Sequence, residues 1–190
     1  DPTYAKVLVR YNPEDDKELN QRQTARLAEL SNHLKDKPNK FLFELLVPAT
    51  DAQMAKANND QNTYEQEIRP DLMVAAIKEI QEAGVNPLVW KLEGLDSTEK
   101  MQKVADQVTS FNADAGIIIL GRGESAEKAE HWLKMGAKVS AAIGFAVGRT
   151  IFKGPLEDFA AEKISREEAI QKISENYSFF VEVWQKVKAE

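Results

Sequence analysis

The chain has 190 residues, 43% of them hydrophobic and 29% charged, with a formal net charge of −6 and no cysteine. That is enough for one globular domain with its own core. The acidic balance argues against a nucleic-acid partner, and the missing thiols exclude disulfides and cysteine-held metal, as suits a reducing cytoplasm.

Taken in order, Tyr4 to Tyr11 reads as a strand with an apolar centre at Val7-Leu8-Val9, and Asn12-Pro13-Glu14-Asp15-Asp16 as a turn. A helix is predicted to about Leu34, then a polar connection Lys35 to Asn39, then a strand from Phe41 to Val47 stopped by Pro48. Ala49 to about Gln66 is polar and long for a βα connection, so a lid or binding loop is expected there. Asp71 to Ala83 is predicted helical, with Gly84 as its stop. Leu88 to Glu93 is a strand ending at Gly94; Asp96 and Glu99 pattern as a cap with its reciprocal acid, opening a helix to about Ser110. Ala115 to Leu120 is almost purely apolar and is expected to be a strand buried on both faces. A helix from about Ser125 to Met135 and a strand from Val139 to Val147 follow, then a short helix around Leu156 to Glu162. A last helix is capped by Ser165 with Glu168 and runs to about Val187.

Five strand–helix repeats imply parallel strands with right-handed crossovers. An open doubly wound sheet and part of a (β/α)8 TIM barrel both fit the pattern. A full barrel needs eight units and usually about 250 residues, so the chain reads as one domain covering the last five. The start at Asp1 without Met, almost directly in a strand, is read the same way, as a trimmed piece or one domain of a longer polypeptide.

Side-chain alternation then separates two faces. Lys6, Leu8 and Arg10, then Leu42, Glu44 and Leu46, then Val89, Lys91 and Glu93 share one face; Val7, Val9, Tyr11, Phe41, Phe43, Leu45, Leu88, Trp90 and Leu92 form the other. A sheet covered by helices on both sides could not satisfy that charge. A barrel interior near its C-terminal rim could, because active sites lie there. In the last strand Ala142, Gly144, Ala146 and Gly148 leave space while Ile143, Phe145 and Val147 are bulky. Lys6, Arg10, Glu44, Lys91 and Glu93 are therefore expected to form one mixed-charge cluster. An ion-pair network would account for it. So would an amine nucleophile, since desolvation and neighbouring cations favour the free base of a lysine.

Gly121-Arg122-Gly123 and Gly148-Arg149 each follow a strand, where backbone N–H groups and a guanidinium suit a phosphate. Gly121-x-Gly123-x-x-Ala126 also matches the dinucleotide fingerprint, but no acid ends the next strand to hold a ribose. His33 and His131 fall on helices rather than strand ends, so no metal site is expected; Trp132, Trp184 and Phe159 are expected in the core. No apolar run spans a membrane and no signal peptide is present.

Phe43-Glu-Leu-Leu-Val-Pro48, Trp90-Lys-Leu-Glu-Gly94, the Gly-Arg-Gly turn and Phe145-Ala-Val-Gly-Arg-Thr-Ile-Phe152 together resemble class I (β/α)8 aldolases of the tagatose-bisphosphate aldolase type. The nearest likeness is to the aldolase-like domain fused behind bacterial 5-dehydro-2-deoxygluconokinase in inositol catabolism. The resemblance covers nearly the whole chain, from the family's fourth strand onward. It implies Lys91 as Schiff-base lysine, Glu44 as the proton-transferring acid, Lys6 as the second active-site lysine and Arg149 as a phosphate ligand. Gly121, Arg122, Gly123, Gly148, Arg10 and Glu93 complete the expected substrate site. The family's turn reads Ser-Ala-Gly where this chain has Gly121-Arg122-Gly123. The resemblance further implies no cofactor and no metal, a small phosphorylated sugar substrate, and a homo-oligomer or a fused kinase domain as partner. A non-catalytic sugar-phosphate-binding domain attached to a carbohydrate kinase is the alternative.

Overall fold

A computed structural model describes residues 2–190. Five strands, β1 (Tyr4–Arg10), β2 (Lys40–Leu46), β3 (Val89–Glu93), β4 (Gly116–Leu120) and β5 (Ala142–Ala146), form one all-parallel sheet in the order of the sequence. That order rejects the doubly wound alternative, in which the strand order reverses and helices cover both faces. Sequential right-handed crossovers instead lay their helices on one side. Those helices are α1 (Lys17–Leu34), α4 (Arg69–Glu82), α5 (Thr98–Phe111), α6 (Ala126–Ala137), α7 (Arg149–Ala160) and α8 (Arg166–Lys188), with α2 (Asp51–Lys56) and α3 (Gln61–Thr63) between β2 and α4. The architecture is a curved (β/α)-type, barrel-like arrangement of five strands.

Burial follows the alternation. Phe43, Trp90, Leu92 and Ile117 point to the helical side and have no solvent exposure; they pack with Met73, Ile77, Ile80, Met101, Val104 and Trp132 in one core. The other side is open at both ends, with Leu8 of β1 47% and Ile143 of β5 60% exposed. Parallel strands are normally covered on both faces. Here Ile118 on the inner face of β4 is only half-buried, against the expectation for that strand.

Several expected boundaries move. The polar stretch after Pro48 is not a loop: Thr50 and Gln53 form a reciprocal capping box for α2, and a π-helix over Tyr64–Ile68 feeds straight into α4. Ser97, not Asp96, caps α5, by accepting from the Lys100 N–H. The fifth strand is shorter than expected, and a bulge at Ile117/Ile118 pairs Ile118 with Gly144. The bulge sends Ala142 to the helical side, where it is 1% exposed, and turns Ile143 to the open side. α7 starts at Arg149, directly after β5, with Pro155 inside it. It leaves Phe159 exposed, whereas Trp132 is in the core and Trp184 packs partly buried against Phe145.

Gly94, at the end of β3, has ordinary backbone angles; what it provides is close approach. A Cβ there would collide with the Trp132 ring, whereas one on Gly154, within α7, meets nothing beyond its chain neighbours. Gly94→Ala is therefore expected to lose about 1–3 kcal/mol of stability through overpacking. Gly154→Ala is expected to change stability by less than about 1 kcal/mol, because the gain in helix propensity is offset by its Cβ crowding the Pro155 ring. Urea unfolding of the two variants checks both.

Candidate functional site

The parallel register sets Glu44 of β2 directly opposite Lys91 of β3 on the open face, with Lys6 of β1 one diagonal step away. One carboxylate oxygen, Glu44 Oε2, takes both ammonium groups: Lys6 Nζ lies at 2.5 Å and Lys91 Nζ at 3.1 Å. Burial pushes the Glu44 carboxyl upward, but hydrogen bonds from Lys6 and then Lys91 outweigh it, and its pKa is lowered. Glu44 is thus a buried anion shared by two amines. Lys91, its side chain 20% exposed, is neither fully desolvated nor unpaired.

Glu93 and Arg10 do not join this group, so the expected single cluster divides. Glu93 ends β3 and accepts from the Val47 N–H at 3.3 Å. Arg69 Nη1 lies 3.4 Å and Arg122 Nη1 3.2 Å from its carboxylate. Arg69 is buried to 1% exposure, gives a hydrogen bond from Nη2 to the Gly94 carbonyl, and lies over the Trp132 ring. A second carboxylate, Glu65, takes Arg122 at 2.8 Å, Lys128 at 2.7 Å and the Gln61 amide at 2.9 Å. Burial pushes Glu65 up, but Lys128, Gln61, Arg122 and Arg69 bring its pKa down to about 2. Tyr64 donates its hydroxyl to the Val47 carbonyl, and burial lifts its pKa to about 12. Burial lowers the Arg122 pKa, yet Glu93 and Glu65 more than reverse this.

Two backbone features make this network possible. The π-helix turns the neighbouring residues Tyr64 and Glu65 both inward, and such insertions are frequent at functional sites. Arg122 adopts the left-handed conformation at φ 54°, uncommon for a residue with a side chain, and so aims its guanidinium between the two carboxylates. A cleft of about 180 Å³ opens above them, lined by Arg10, Pro48, Gln61, Tyr64, Glu93 and Arg122. Arg10 is exposed there and, among the described residues, has no carboxylate within ion-pairing distance.

Beside it, the starts of α6 and α7 converge on a depression of about 280 Å³ lined by Gly123, Glu124, Ser125, Ala126, Arg149, Thr150 and Lys153, so one carboxylate stands among its cations. Arg149 donates to the Arg122 carbonyl at 2.8 Å, and Thr150 to the Glu124 carbonyl at 2.9 Å. A Cβ on Gly123 (φ 81°) would lie 2.8 Å from the Arg149 guanidinium, so glycine lets the arginine lie flat on the turn. Gly148 is the N-cap of α7 and supplies no side chain, which leaves the first N–H groups of that helix for an anion. Gly121 is buried beneath, its missing Cβ within 3.1 Å of Val147.

Of the residues singled out in the sequence, Lys6, Glu44 and Lys91 come together; Arg10, Glu93 and Arg122 meet at the cleft; Gly123, Gly148 and Arg149 frame the depression. The sequence reading missed Glu65, Arg69, Tyr64, Lys128 and Lys153. The spacing of Glu65 and Arg69, four residues apart, was a signal, but one readable only after the stretch is recognised as helical. Among the described residues no group of three or more His, Asp or Glu is placed to hold a metal ion, and no helix is long and apolar enough to cross a membrane.

The fold is similar to part of two solved aldolase structures. The structure superimposes on fructose-bisphosphate aldolase from Plasmodium falciparum, solved with TRAP and a small-molecule inhibitor, with TM-score 0.60 and 12% identity over 98% of this chain and 57% of that one. Fructose-bisphosphate aldolase from Slackia heliotrinireducens gives TM-score 0.52 and 11% identity, covering 90% of this chain and 53% of that one. The chain thus spans little more than half the length of these aldolases. No curated protein sequence matches it. The chain belongs to the DUF2090 family, described as an uncharacterized protein conserved in bacteria, which matches residues 2–188.

The Glu65 network makes a pH prediction. Its folded pKa of about 2 lies below the ordinary 4.5, so its contribution is complete above about pH 4.5 and disappears as pH falls towards 2. The shift corresponds to ~3 kcal/mol. Glu65→Gln should lower unfolding free energy at pH 7 by up to that amount, and the gap to wild type should close between pH 4.5 and the acid limit. A gap that stays constant across urea titrations from pH 7 to pH 3 would show that the charge is not its source.

Proposed function

We propose that the chain is the C-terminal part of a class I, Schiff-base aldolase domain that cleaves a phosphorylated keto sugar or sugar acid. The observation that carries this is the pairing of Lys91 with Glu44 on the uncovered sheet face, beside an arginine-lined cleft and an anion-sized depression. Lys91 Nζ, having released its proton, attacks the substrate's keto carbon; loss of water gives an iminium. A base removes the proton from the hydroxyl on the carbon β to the iminium carbon. The bond between the α and β carbons then breaks, the aldehyde departs, and the electron pair enters the iminium to give an enamine. Protonation at carbon and hydrolysis release the ketone and restore Lys91. Glu44, between the two amines, exchanges the protons of carbinolamine formation and hydrolysis, and Lys6 supplies the second acid.

The depression at Ser125, Arg149, Thr150 and Lys153 takes the phosphate. Arg10 takes a carboxylate at the cleft, which favours a sugar acid over a neutral sugar. Arg122, neutralised by the carboxylates of Glu65, Glu93 and Glu124, orients the rim and does not carry the phosphate charge. The substrate consistent with these groups is 5-dehydro-2-deoxygluconate 6-phosphate, cleaved to dihydroxyacetone phosphate and malonate semialdehyde, in the setting of inositol catabolism. Leu8 and Ile143 are exposed beside the unpaired edges of β1 and β5. Three further βα units pairing with both edges would cover them and complete the barrel. A fused kinase domain or a homo-oligomer is compatible with this assignment.

Borohydride reduction in the presence of dihydroxyacetone phosphate should leave a mass adduct on Lys91, absent in Lys91→Ala and retained in Lys6→Ala. If no adduct forms on this chain or on one carrying further βα units, while calorimetry still detects ligand, the aldolase reading fails and a sugar-phosphate-binding domain replaces it. Arg149→Met should raise KM for the phosphorylated substrate roughly ten- to a hundredfold, the range for a charge-assisted hydrogen bond, with a smaller change in kcat.

A further inference from the structure

A further cleft lies at the opposite end of the sheet from Lys91. It has a volume of about 440 Å³ and is formed where α1 ends, β2 begins and the connections into β3 and β4 pass. Its charged residues are Lys35, Lys37 and Lys40 and its amide side chains Asn32, Asn39, Asn86 and Asn112, and no carboxylate lines it among the described residues. Lys35, Lys37 and Lys40 have no carboxylate oxygen within 4.0 Å among the described residues, a condition they share with other exposed lysines such as Lys17, Lys56 and Lys172; what sets these three apart is that they line one cleft together.

The negative end of α1 accounts for Lys35, its C-cap, and for Lys37 two residues on. It does not account for Lys40, the first residue of β2. The local carbonyls are also occupied: Asn32 and Leu34 accept from the Lys35 and Lys37 N–H groups, and the Gly84 and Val85 N–H groups close the end of α4. Three lysines and four asparagines therefore line a cleft whose volume suits a small metabolite.

We infer that this cleft is a second ligand site, which takes a small phosphate-bearing metabolite through Lys35, Lys37 and Lys40 with the asparagine amides as neutral donors. It is separate from the depression at Arg149. β2 joins it to the aldolase-like centre: Lys40 opens the strand and Glu44 lies four residues on, about 13 Å away. A ligand at Lys40 therefore anchors the start of the strand that carries the shared carboxylate.

The test is a titration of the whole chain with pyrophosphate, followed by amide chemical shifts and by calorimetry. Saturable shifts at Lys37, Lys40 and Asn86 are expected, weakening with added salt. Lys37→Gln/Lys40→Gln should reduce affinity at this site roughly tenfold or more, as loss of two ion pairs implies, while its circular dichroism and melting stay those of wild type. Arg149→Met should leave these shifts unchanged. Shifts confined to Ser125, Arg149 and Lys153, or shifts at Lys40 that survive the double substitution, would overturn the inference. The readout is independent of Schiff-base formation, so it stands or falls apart from the proposed activity.

Discussion

Right-handed crossovers between strands that pair in sequence order put the helices on one side of the sheet. The sheet then has a greasy face that must be alternately bulky along every strand, and an inner face that receives whatever remains. Charge buried near the centre of that face has to be paired within the sheet itself, because no helix arrives to satisfy it. Glu44 meets that condition by standing between Lys6 and Lys91. The three groups come from three adjacent strands, so their geometry is fixed by hydrogen-bond register rather than by a loop.

A second layer of charge sits at the strand ends. Glu93 and Glu65 divide Arg69, Arg122 and Lys128 between them, and all five residues are tied to backbone elements that bound the cleft. Ion pairs buried to this degree contribute little net stability, since desolvation offsets most of the attraction, but removal of one partner strands the other. Their physical effect is to fix orientation. Arg69 binds the end of β3 to α4 and α6, and Arg122 holds the turn after β4 against the π-helix. Through its carbonyl, Arg122 also positions Arg149 at the start of α7. The cleft and the depression at Arg149 are therefore mechanically one unit, although their residues are spread from Arg10 to Lys153.

At 11–12% identity to the aldolases it superimposes on, the chain keeps a path and very little sequence. What such a path preserves is the requirement for alternation, small residues at close approaches, and caps at helix starts. Gly94 against Trp132 is one such approach, and Ser97, Ser125 and Ser165 are such caps. These are demands of packing and backbone satisfaction that many sequences meet.

The sequence by itself determined the parallel α/β class and the two faces of β1, β2 and β3, because a period of two along a strand leaves no other solution. It put Lys6, Arg10, Glu44, Lys91 and Glu93 on one face; register then joined Lys6, Glu44 and Lys91 and left Arg10 and Glu93 to the cleft. The sequence also determined most helix starts, because a serine or threonine before an apolar-periodic run is a local signal. Tertiary structure alone decided the rest. The π-helix is held by Tyr64 reaching the Val47 carbonyl, a contact between residues seventeen positions apart. The bulge before β5 reversed Ala142 and Ile143 because strand pairing, not alternation, sets the register there. The exposure of Phe159 followed from the early start of α7. Arg122 was legible as a cation near an expected phosphate, yet its partners are Glu65 and Glu93. Which anion a guanidinium meets depends on what the fold carries past it, and no local pattern records that.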